Sequence, residues 1–500
     1  MLKRFPGDIY LLLIVLIGLS LRLHKLDAPI TDADSFRQGA TASIARNYHE
    51  GGYGLLEPRI TGWGSLDEPG LWPNEFPLYP YIIGKLYSLT GEHEWVGRII
   101  TILFCLAGAA GLYDLVRRWE GVLAARFAAL WFLIAPQAVY HGRCFHRHPV
   151  AIGLMLLALA AYARWLDAKR IGSWLFMTIC GGLALLLMPP LITIAPPVLW
   201  MYAQTHDWRI WKERSLLVSV VLMLIPSLLW YGWAMQQPQS YSLNSWGRET
   251  FRNWTSLSYY TLWWDYDFFR QVWRGLWYYT LGPVGALFGV LGVFLRRGRI
   301  PSLALVWTGT ILLYYLLDIH PIAVAPHYVY YLIIFCPLCW GAGRFSALIF
   351  DQTREKSVIS ALPVRILFVA ALLLTSLYHW DSMIQPWYRV KHQWMDAAQL
   401  IQKHTPPGAK IVIDVFDPSL LYYARRNGVA KNPFDLTLEA VQQFEKEGAD
   451  YLAIIEQPEF FKKDALRFYL KDSAENVVIN ETIRLYELGA KRRNTDDQTP

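Results

Sequence analysis

Between residues 9 and 378 the chain returns repeatedly to apolar runs of bilayer-crossing length, and few folds accommodate that pattern. A membrane span needs roughly 20 predominantly apolar residues. The runs lie at 9–21 (continuing to 26, with Arg22, His24 and Lys25 near its outer end), 95–116, 122–140, 149–166 and 171–188. Further runs lie at 191–202, 216–234, 276–295, 303–317, 328–348 and 363–378. With 54% hydrophobic and 15% aromatic residues in 500, a soluble chain would need several large cores, whereas a bilayer takes up the excess directly. No small-residue cleavage site follows the first run, so it is expected to stay as a span and not be removed as a signal peptide.

The net charge of +7 does not point to nucleic acid, because the basic residues sit between the apolar runs. Lys3 and Arg4, Arg117 and Arg118, Lys169 and Arg170 begin the series. Arg209, Lys212 and Arg214, then Arg296, Arg297 and Arg299, then Arg354 and Lys356 continue it. Short cytoplasmic loops collect Lys and Arg. These clusters fall on alternate connections only if the stretch 76–89 does not span. It is short and carries Pro77, Pro80 and Lys85, so a re-entrant or surface-lying segment is expected. The Met188-Pro189-Pro190 turn shortens two of the runs. The result is an all-α polytopic membrane protein with about eleven transmembrane helices, its N-terminus inside and everything beyond residue 378 outside.

Residues 1–380 form the expected membrane domain. It includes a first external loop, 27–94, and an aromatic external loop, 236–274. Residues 381–490 read as a small external α/β domain. Residues 410–415 form a β-branched strand after a Pro406-Pro407-Gly408 turn, and 451–455 a second strand. Residues 419–426 and 438–446 read as helices, 477–479 and 482–488 as a closing hairpin, and 491–500 as a disordered tail. The cysteines stand at 105, 144, 180, 336 and 339, in or beside spans. Cys336 and Cys339 have redox or metal spacing but no His or acidic neighbours, so they read as small buried core residues.

Two acids, Asp32 and Asp34, stand just outside the first span, followed by Ser35, Phe36, Arg37 and Gln38. Carboxylates near hydrocarbon are costly unless they have a task or a partner. Residues 41–48 have helical periodicity, so Asp34 falls near a helix N-terminus. Capping, with Arg37 as ion-pair partner, stands beside the functional reading. The same loop ends in Asn74-Glu75-Phe76-Pro77-Leu78-Tyr79-Pro80-Tyr81, and Arg98 is the first charge of the next span.

With these motifs the chain resembles the C-type glycosyltransferases, in the branch shared by protein O-mannosyltransferases and lipid A aminoarabinose transferases. Asp32 and Asp34 match the family's acidic motif, and residues 74–79 match its later acid–x–Pro–Leu segment. The family usually has an acidic pair in sequence and a Lys or His before the proline. Here Asp34 is followed by Ser35, and Phe76 stands before Pro77. The resemblance implies transfer of a sugar from a polyprenyl phosphate to an acceptor hydroxyl at the outer face, with inversion. Such transfer needs a base for the acceptor proton and cations for the departing phosphate. Asp34 is the expected base with Asp32 as its alternate. Arg37, Glu75, Lys85, Arg98, Arg143, Arg147, His148 and His327 are the expected substrate-binding residues. Arginine suits phosphate because its planar fork donates two hydrogen bonds.

The densest polar run outside the first loop is Tyr140-His141-Gly142-Arg143-Cys144-Phe145-His146-Arg147-His148-Pro149. Head-group or phosphate contact, a metal and a plain interfacial loop all remain readings of it. A divalent metal is thereby left open as a cofactor and is not required. Asp318, His320 and His327 lie at an outer boundary, and Asp265 and Asp267 within the aromatic loop are weaker candidates for acceptor contacts. That loop, with Trp246 and Trp273, reads first as an interfacial belt. The expected partners are the lipid-phosphate sugar, a glycan, lipid or protein acceptor, and the bilayer, in a bacterial host the inner membrane with the site facing the periplasm. A transporter or flippase is the alternative, although such folds tend to show matching halves and midplane charges.

Overall fold

The computed structural model describes residues 8–206, 210–237, 261–295, 302–317, 334–352, 358–455 and 457–490. The first ten α-helices are α1 (Ile9–Leu23), α2 (Ser35–Glu50), α3 (Leu78–Thr90), α4 (Glu94–Glu120) and α5 (Val122–Ile134), then α6 (Pro136–His141), α7 (Arg147–Ala168), α8 (Ile171–Leu187), α9 (Ala195–Thr205) and α10 (Arg214–Ala234). The chain divides into two compact units. One is Met1–Leu26, Arg98–Gln236 and Tyr241–Trp387; the other is Asp27–Gly97, Gln237–Ser240 and Tyr388–Pro500.

The first unit is helical and turns much of its apolar surface outward. On α10, Leu217, Val218, Val221, Leu222, Leu228 and Leu229 are exposed, as are Leu12, Leu13 and Leu16 on α1. Rows of exposed Leu and Val on a helix face are costly in water and comfortable against lipid tails. Among the described residues, four segments are long and apolar enough to cross a membrane: α4, α7, α10 and the run Leu362–His404. A fifth is reached if Tyr266–Tyr278 and Gly282–Phe294, bent by 92°, count as one. Ile9–Leu23, Val122–Ile134, Ile171–Leu187 and Leu303–Leu316 are shorter apolar helices. The expected eleven spans are therefore not confirmed among the described residues, and proline shortens some of the apolar runs. The run 122–140 is broken at Ala135, which is extended (ψ 135°) before Pro136, because a residue preceding proline avoids helical geometry. A 3-10 turn over Pro189–Ile194 separates α8 from α9 in the same manner. At about 20 Å long, the 13-residue α3 is too short to cross, as its prolines suggested.

Inside this unit the helices Gly282–Phe294 and Phe335–Gln352 pack closely. A Cβ on Gly292 would lie 1.8 Å from the Gly341 carbonyl oxygen, so glycine is what permits the approach. Cys336 and Cys339 are fully buried there, which fits a packing role. One set of basic residues is neutralised by acids. Arg126 donates from Nε and Nη2 to the Asp8 carboxylate at 2.9 Å each. Asp114 receives Arg117 at 2.9 Å and Arg164 at 3.0 Å. Lys169 meets Glu213 at 2.7 Å and Arg344 meets Glu120 at 2.9 Å.

The second unit is built on a seven-stranded sheet in the order β2-β1-β4-β3-β5-β7-β6. The strands are β1 (Arg59–Gly64), β2 (Pro69–Leu71), β3 (Lys410–Ile413), β4 (Asn427–Ala430), β5 (Tyr451–Ile454), β6 (Glu475–Ile479) and β7 (Arg484–Glu487). Strands β1, β4, β3 and β5 run parallel, and β7 and β6 close the sheet antiparallel. The C-terminal strands at 410–415 and 451–455 and the closing hairpin are where the sequence placed them. The pairing of Gly62 with Val429 is new, and it makes the first loop part of this sheet. Apolar residues cover both faces, as parallel strands require. Ile411, Ile413 and Ala453 meet Ile401, Leu420 and Leu421, while Val412, Leu452 and Ile454 meet Leu66, Val441 and Leu466. Helix α2 lies against both α3 and the helix Pro418–Ala424. A Cβ on Gly39 would sit 2.8 Å from both Cβ and N of Ser419, so the last of these contacts depends on a glycine.

Candidate active site

The acidic motif occupies the turn that starts α2. Asp32 is 1% exposed. Its Oδ1 accepts from Gln38 Nε2 at 2.6 Å and from the Asp34 backbone N–H at 3.3 Å. The Asp32 carbonyl accepts from the Ser35 N–H at 3.2 Å. Asp34 holds the N-cap position of α2, yet its side chain makes no capping hydrogen bond. An aspartate at an N-cap ordinarily accepts from the second or third helical N–H, so the capping reading does not account for this carboxylate. Its Oδ1 lies 3.8 Å from Arg37 Nε, with the Asp34 side chain 11% exposed. The pairing with Arg37 expected from the sequence is therefore present as a loose, half-exposed contact. Asp32 is almost fully buried and bonded to Gln38, whereas the Asp34 side chain keeps some exposure.

The other expected residues of this unit lie at graded depth. Glu75 is half-buried, in the turn before α3, and its neighbour Asn74 is buried. Lys85 is exposed on α3, with Nζ 5.1 Å from the Tyr81 ring centroid. At the C-terminal side of α3, Glu92 accepts from Arg46 Nε at 2.7 Å and from Arg425 Nη2 at 2.7 Å. Burial pushes the Glu92 carboxyl up, but Arg46 and Arg425 outweigh it and hold the group below the usual carboxylate value.

Arg98, Arg143, Arg147 and His148 belong to the helical unit and are all buried. Arg98 Nη1 donates to the Leu26 carbonyl at 2.6 Å, and Arg143 Nη1 to the Lys25 carbonyl at 2.7 Å. Both guanidiniums are thus fastened to the backbone that leaves α1. Arg147 Nε donates to the Leu187 carbonyl at 3.3 Å, and Nη2 to His148 Nε2 at 3.0 Å. The His146 and His148 ring centroids are 4.0 Å apart. With its Nε2 lone pair accepting from a guanidinium, His148 is poorly placed to bind a cation.

His327, Asp318, His320 and Trp246 lie outside the described residues. Within the aromatic loop, Asp265 Oδ1 accepts from the Phe268 N–H at 2.8 Å, and Asp267 pairs with Arg270 at 3.2 Å. Those are helix-end contacts of Tyr266–Arg274. Trp273 is exposed, as an interfacial belt would have it.

Several residues escaped the sequence reading. Arg22 is fully buried and donates to the carbonyls of Gly18, Leu133 and Ala138. Its position four residues after Gly18 in an apolar helix was the available signal. Ser35, Asp417 and Lys391 meet around the acidic turn. Ser35 Oγ donates to Asp417 Oδ2 at 2.6 Å and accepts from Lys391 Nζ at 3.0 Å. No spacing could reveal contacts between residues 356 and 382 positions apart.

Residues 67–233 match the family model described as dolichyl-phosphate-mannose-protein mannosyltransferase. The matched stretch holds Glu75, Lys85, Arg98, Arg143, Arg147 and His148 and begins after the acidic motif. A Bacillus subtilis (strain 168) protein named "Putative mannosyltransferase YycA" is 26% identical over 230 residues, 46% of this chain. The match spans 32% of that relative. The fold is similar to the crystal structure of ArnT from Cupriavidus metallidurans bound to undecaprenyl phosphate. The TM-score is 0.60 and the identity 18%, covering 96% of this chain and 98% of the other. It is also similar to the archaeal oligosaccharyltransferase AglB from Archaeoglobus fulgidus in complex with an inhibitory peptide and a dolichol-phosphate. There the TM-score is 0.56 and the identity 14%, covering 94% and 73%. The resemblance to C-type glycosyltransferases read from the motifs is thus found again in sequence and in fold.

Proposed function

We propose that this C-type glycosyltransferase relative is an enzyme that moves a sugar from a polyprenyl phosphate to an acceptor hydroxyl, with inversion at the sugar carbon. The acceptor O–H gives its proton to Asp34 as its oxygen bonds the sugar carbon. The bond from that carbon to the phosphate oxygen breaks, and its electron pair leaves with the lipid phosphate. Arg98, Arg143 and Arg147 serve as the phosphate-binding cations, and Arg37 tunes the Asp34 carboxylate. Glu75, Lys85 and His148 are substrate contacts in the same reading. The carrying observation is Asp34 itself, a carboxylate at a helix N-cap whose side chain makes no capping hydrogen bond. The undecaprenyl phosphate bound to the similar ArnT structure and the dolichol-phosphate bound to the similar AglB structure support the donor class.

Asp34→Asn tests the reading. Asparagine caps a helix about as well as aspartate, so the fold survives. It cannot accept the proton, and the transfer rate is expected to fall by roughly two to four orders of magnitude. Asp32→Asn, at a buried position already bonded to Gln38, is expected to be milder in rate and to lower the melting temperature. Full activity in both variants overturns the mechanism. A transporter would instead carry substrate across vesicles without releasing sugar from a polyprenyl-phosphate sugar.

We place the reaction at the outer face of a bacterial inner membrane. Single cysteines at 341–352 are expected to resist an impermeant thiol reagent in intact spheroplasts, and those at 392–490 to react. The opposite pattern removes the site from that face.

A further inference from the structure

The contacts around Ser35 extend this reading from the acidic turn to the C-terminal residues that surround it. Lys391 takes hold of both ends of the turn. Its backbone N–H donates to the Thr31 carbonyl at 2.9 Å and its Nζ to Ser35 Oγ at 3.0 Å. Asp417 divides its carboxylate between two tasks. Oδ1 accepts from the Ser419 N–H at 2.9 Å, capping the helix Pro418–Ala424, and Oδ2 accepts from Ser35 Oγ at 2.6 Å. Ser35 and Asp417 are 4% and 5% exposed. A charged acceptor on a buried hydroxyl makes a short, strong bond. Two further contacts hold the same register. Phe36 stacks on Phe416 with centroids 5.7 Å apart, and Gly39 lets Ser419 come within contact of α2.

We infer that Asp417 and Lys391 are positioning residues: through Ser35 they fix the 31–35 turn and thereby aim the Asp34 carboxylate at the acceptor. The C-terminal region is then a working part of the acidic site and more than a cover for it. This inference rests on the proposed role of Asp34. Neither positioning side chain exchanges a proton with substrate. Their effect is on orientation, where a displacement of about 1 Å is worth up to about a hundredfold in rate.

The test pairs two readouts on the full-length protein in detergent. Hydrogen exchange of the peptide covering 30–40 reports the clamp, and turnover with a polyprenyl-phosphate sugar reports its use. Ser35→Ala removes both bonds, and Ser35→Thr keeps the hydroxyl. Asp417→Asn keeps the Ser419 cap but weakens the hold on Ser35. The expected result is faster exchange at 30–40 and a ten- to hundredfold lower kcat in Ser35→Ala. KM for the lipid donor should stay within about twofold, with most of the turnover restored in Ser35→Thr. Asp417→Asn should fall between them. In an Asp34→Asn background, Ser35→Ala should add little, because the group it aims is already lost. Unchanged exchange in Ser35→Ala overturns the clamp whatever the activity. Faster exchange with unchanged turnover, while Asp34→Asn is inactive, overturns the positioning role and leaves the base in place. An active Asp34→Asn overturns the base first, and the positioning role with it.

Discussion

Arg126 and Arg143 belong to the same helical unit and are held in opposite ways. Arg126, with a side chain 30% exposed, gives two hydrogen bonds to the Asp8 carboxylate. Arg143, 1% exposed, is oriented by the Lys25 carbonyl. Arg117, Arg164, Lys169 and Arg344 follow the first pattern, with Asp114, Glu213 and Glu120 as partners. Arg22 and Arg98 share the second, bonded to the carbonyls of Gly18, Leu133, Ala138 and Leu26. A carboxylate meets a guanidinium's charge directly, and a backbone carbonyl fixes the direction in which its planar fork points. The first arrangement ties acid and base within and between helices, and the second sets the orientation of a buried guanidinium.

The strongest test of that contrast is the Arg143→Ala exchange. Loss of one cation facing developing phosphate charge is expected to lower kcat about a hundredfold, on the order of 3 kcal/mol, with membrane insertion retained. Arg143→Lys keeps the charge but not the planar fork, so partial recovery is expected. Wild-type turnover in Arg143→Ala would make this arginine an interfacial anchor like the others. Arg126→Ala is expected to do the reverse. It costs stability of about 1 kcal/mol, the scale of a half-exposed bidentate pair, with turnover per folded molecule unchanged. A turnover loss at constant melting temperature would erase the contrast.

What could be read from the sequence follows the range of the interactions involved. Apolar runs and the strands at 410–415 and 451–455 are local patterns, and the helices Glu94–Glu120, Arg147–Ala168 and Arg214–Ala234 and both strands lie near their expected places. The position of Asp34 at the start of α2 is also local, since it depends on helical periodicity a few residues on. The breaks in the apolar runs were half legible. Pro136 and Pro189 were visible, but whether a proline kinks a span or ends a helix depends on packing. Strand β1 was hidden because Arg59–Gly64 contains two glycines and joins the sheet between the short β2 and the distant β4. The bond from Ser35 to Asp417 was hidden for the same reason, being made by residues distant in the chain.

Glu92 offers the smallest effect and carries the comparison into the other unit, where a carboxylate joins Arg46, on α2, to Arg425, beyond the helix Pro418–Ala424. If carboxylate pairing is structural here as at Asp8, its signature is in stability against pH. The Glu92 carboxyl is held below its ordinary value in the folded protein, so the folded state binds its proton less readily than the unfolded chain. Its contribution is then fully present above the unfolded value, about 4.3, and is lost as pH falls through the lower folded value. Glu92→Gln removes the charge and keeps the shape. The melting temperature of the variant is expected to lie below that of the wild type at pH 7. The gap should stay nearly constant down to about pH 5 and close progressively below about pH 4. Turnover at neutral pH should be unchanged at a temperature where both proteins are folded. A gap that persists undiminished at low pH would mean that the glutamine disturbs packing and that the ion pair contributes nothing. A loss of turnover with no gap at pH 7 would move Glu92 out of the structural class and next to Asp34.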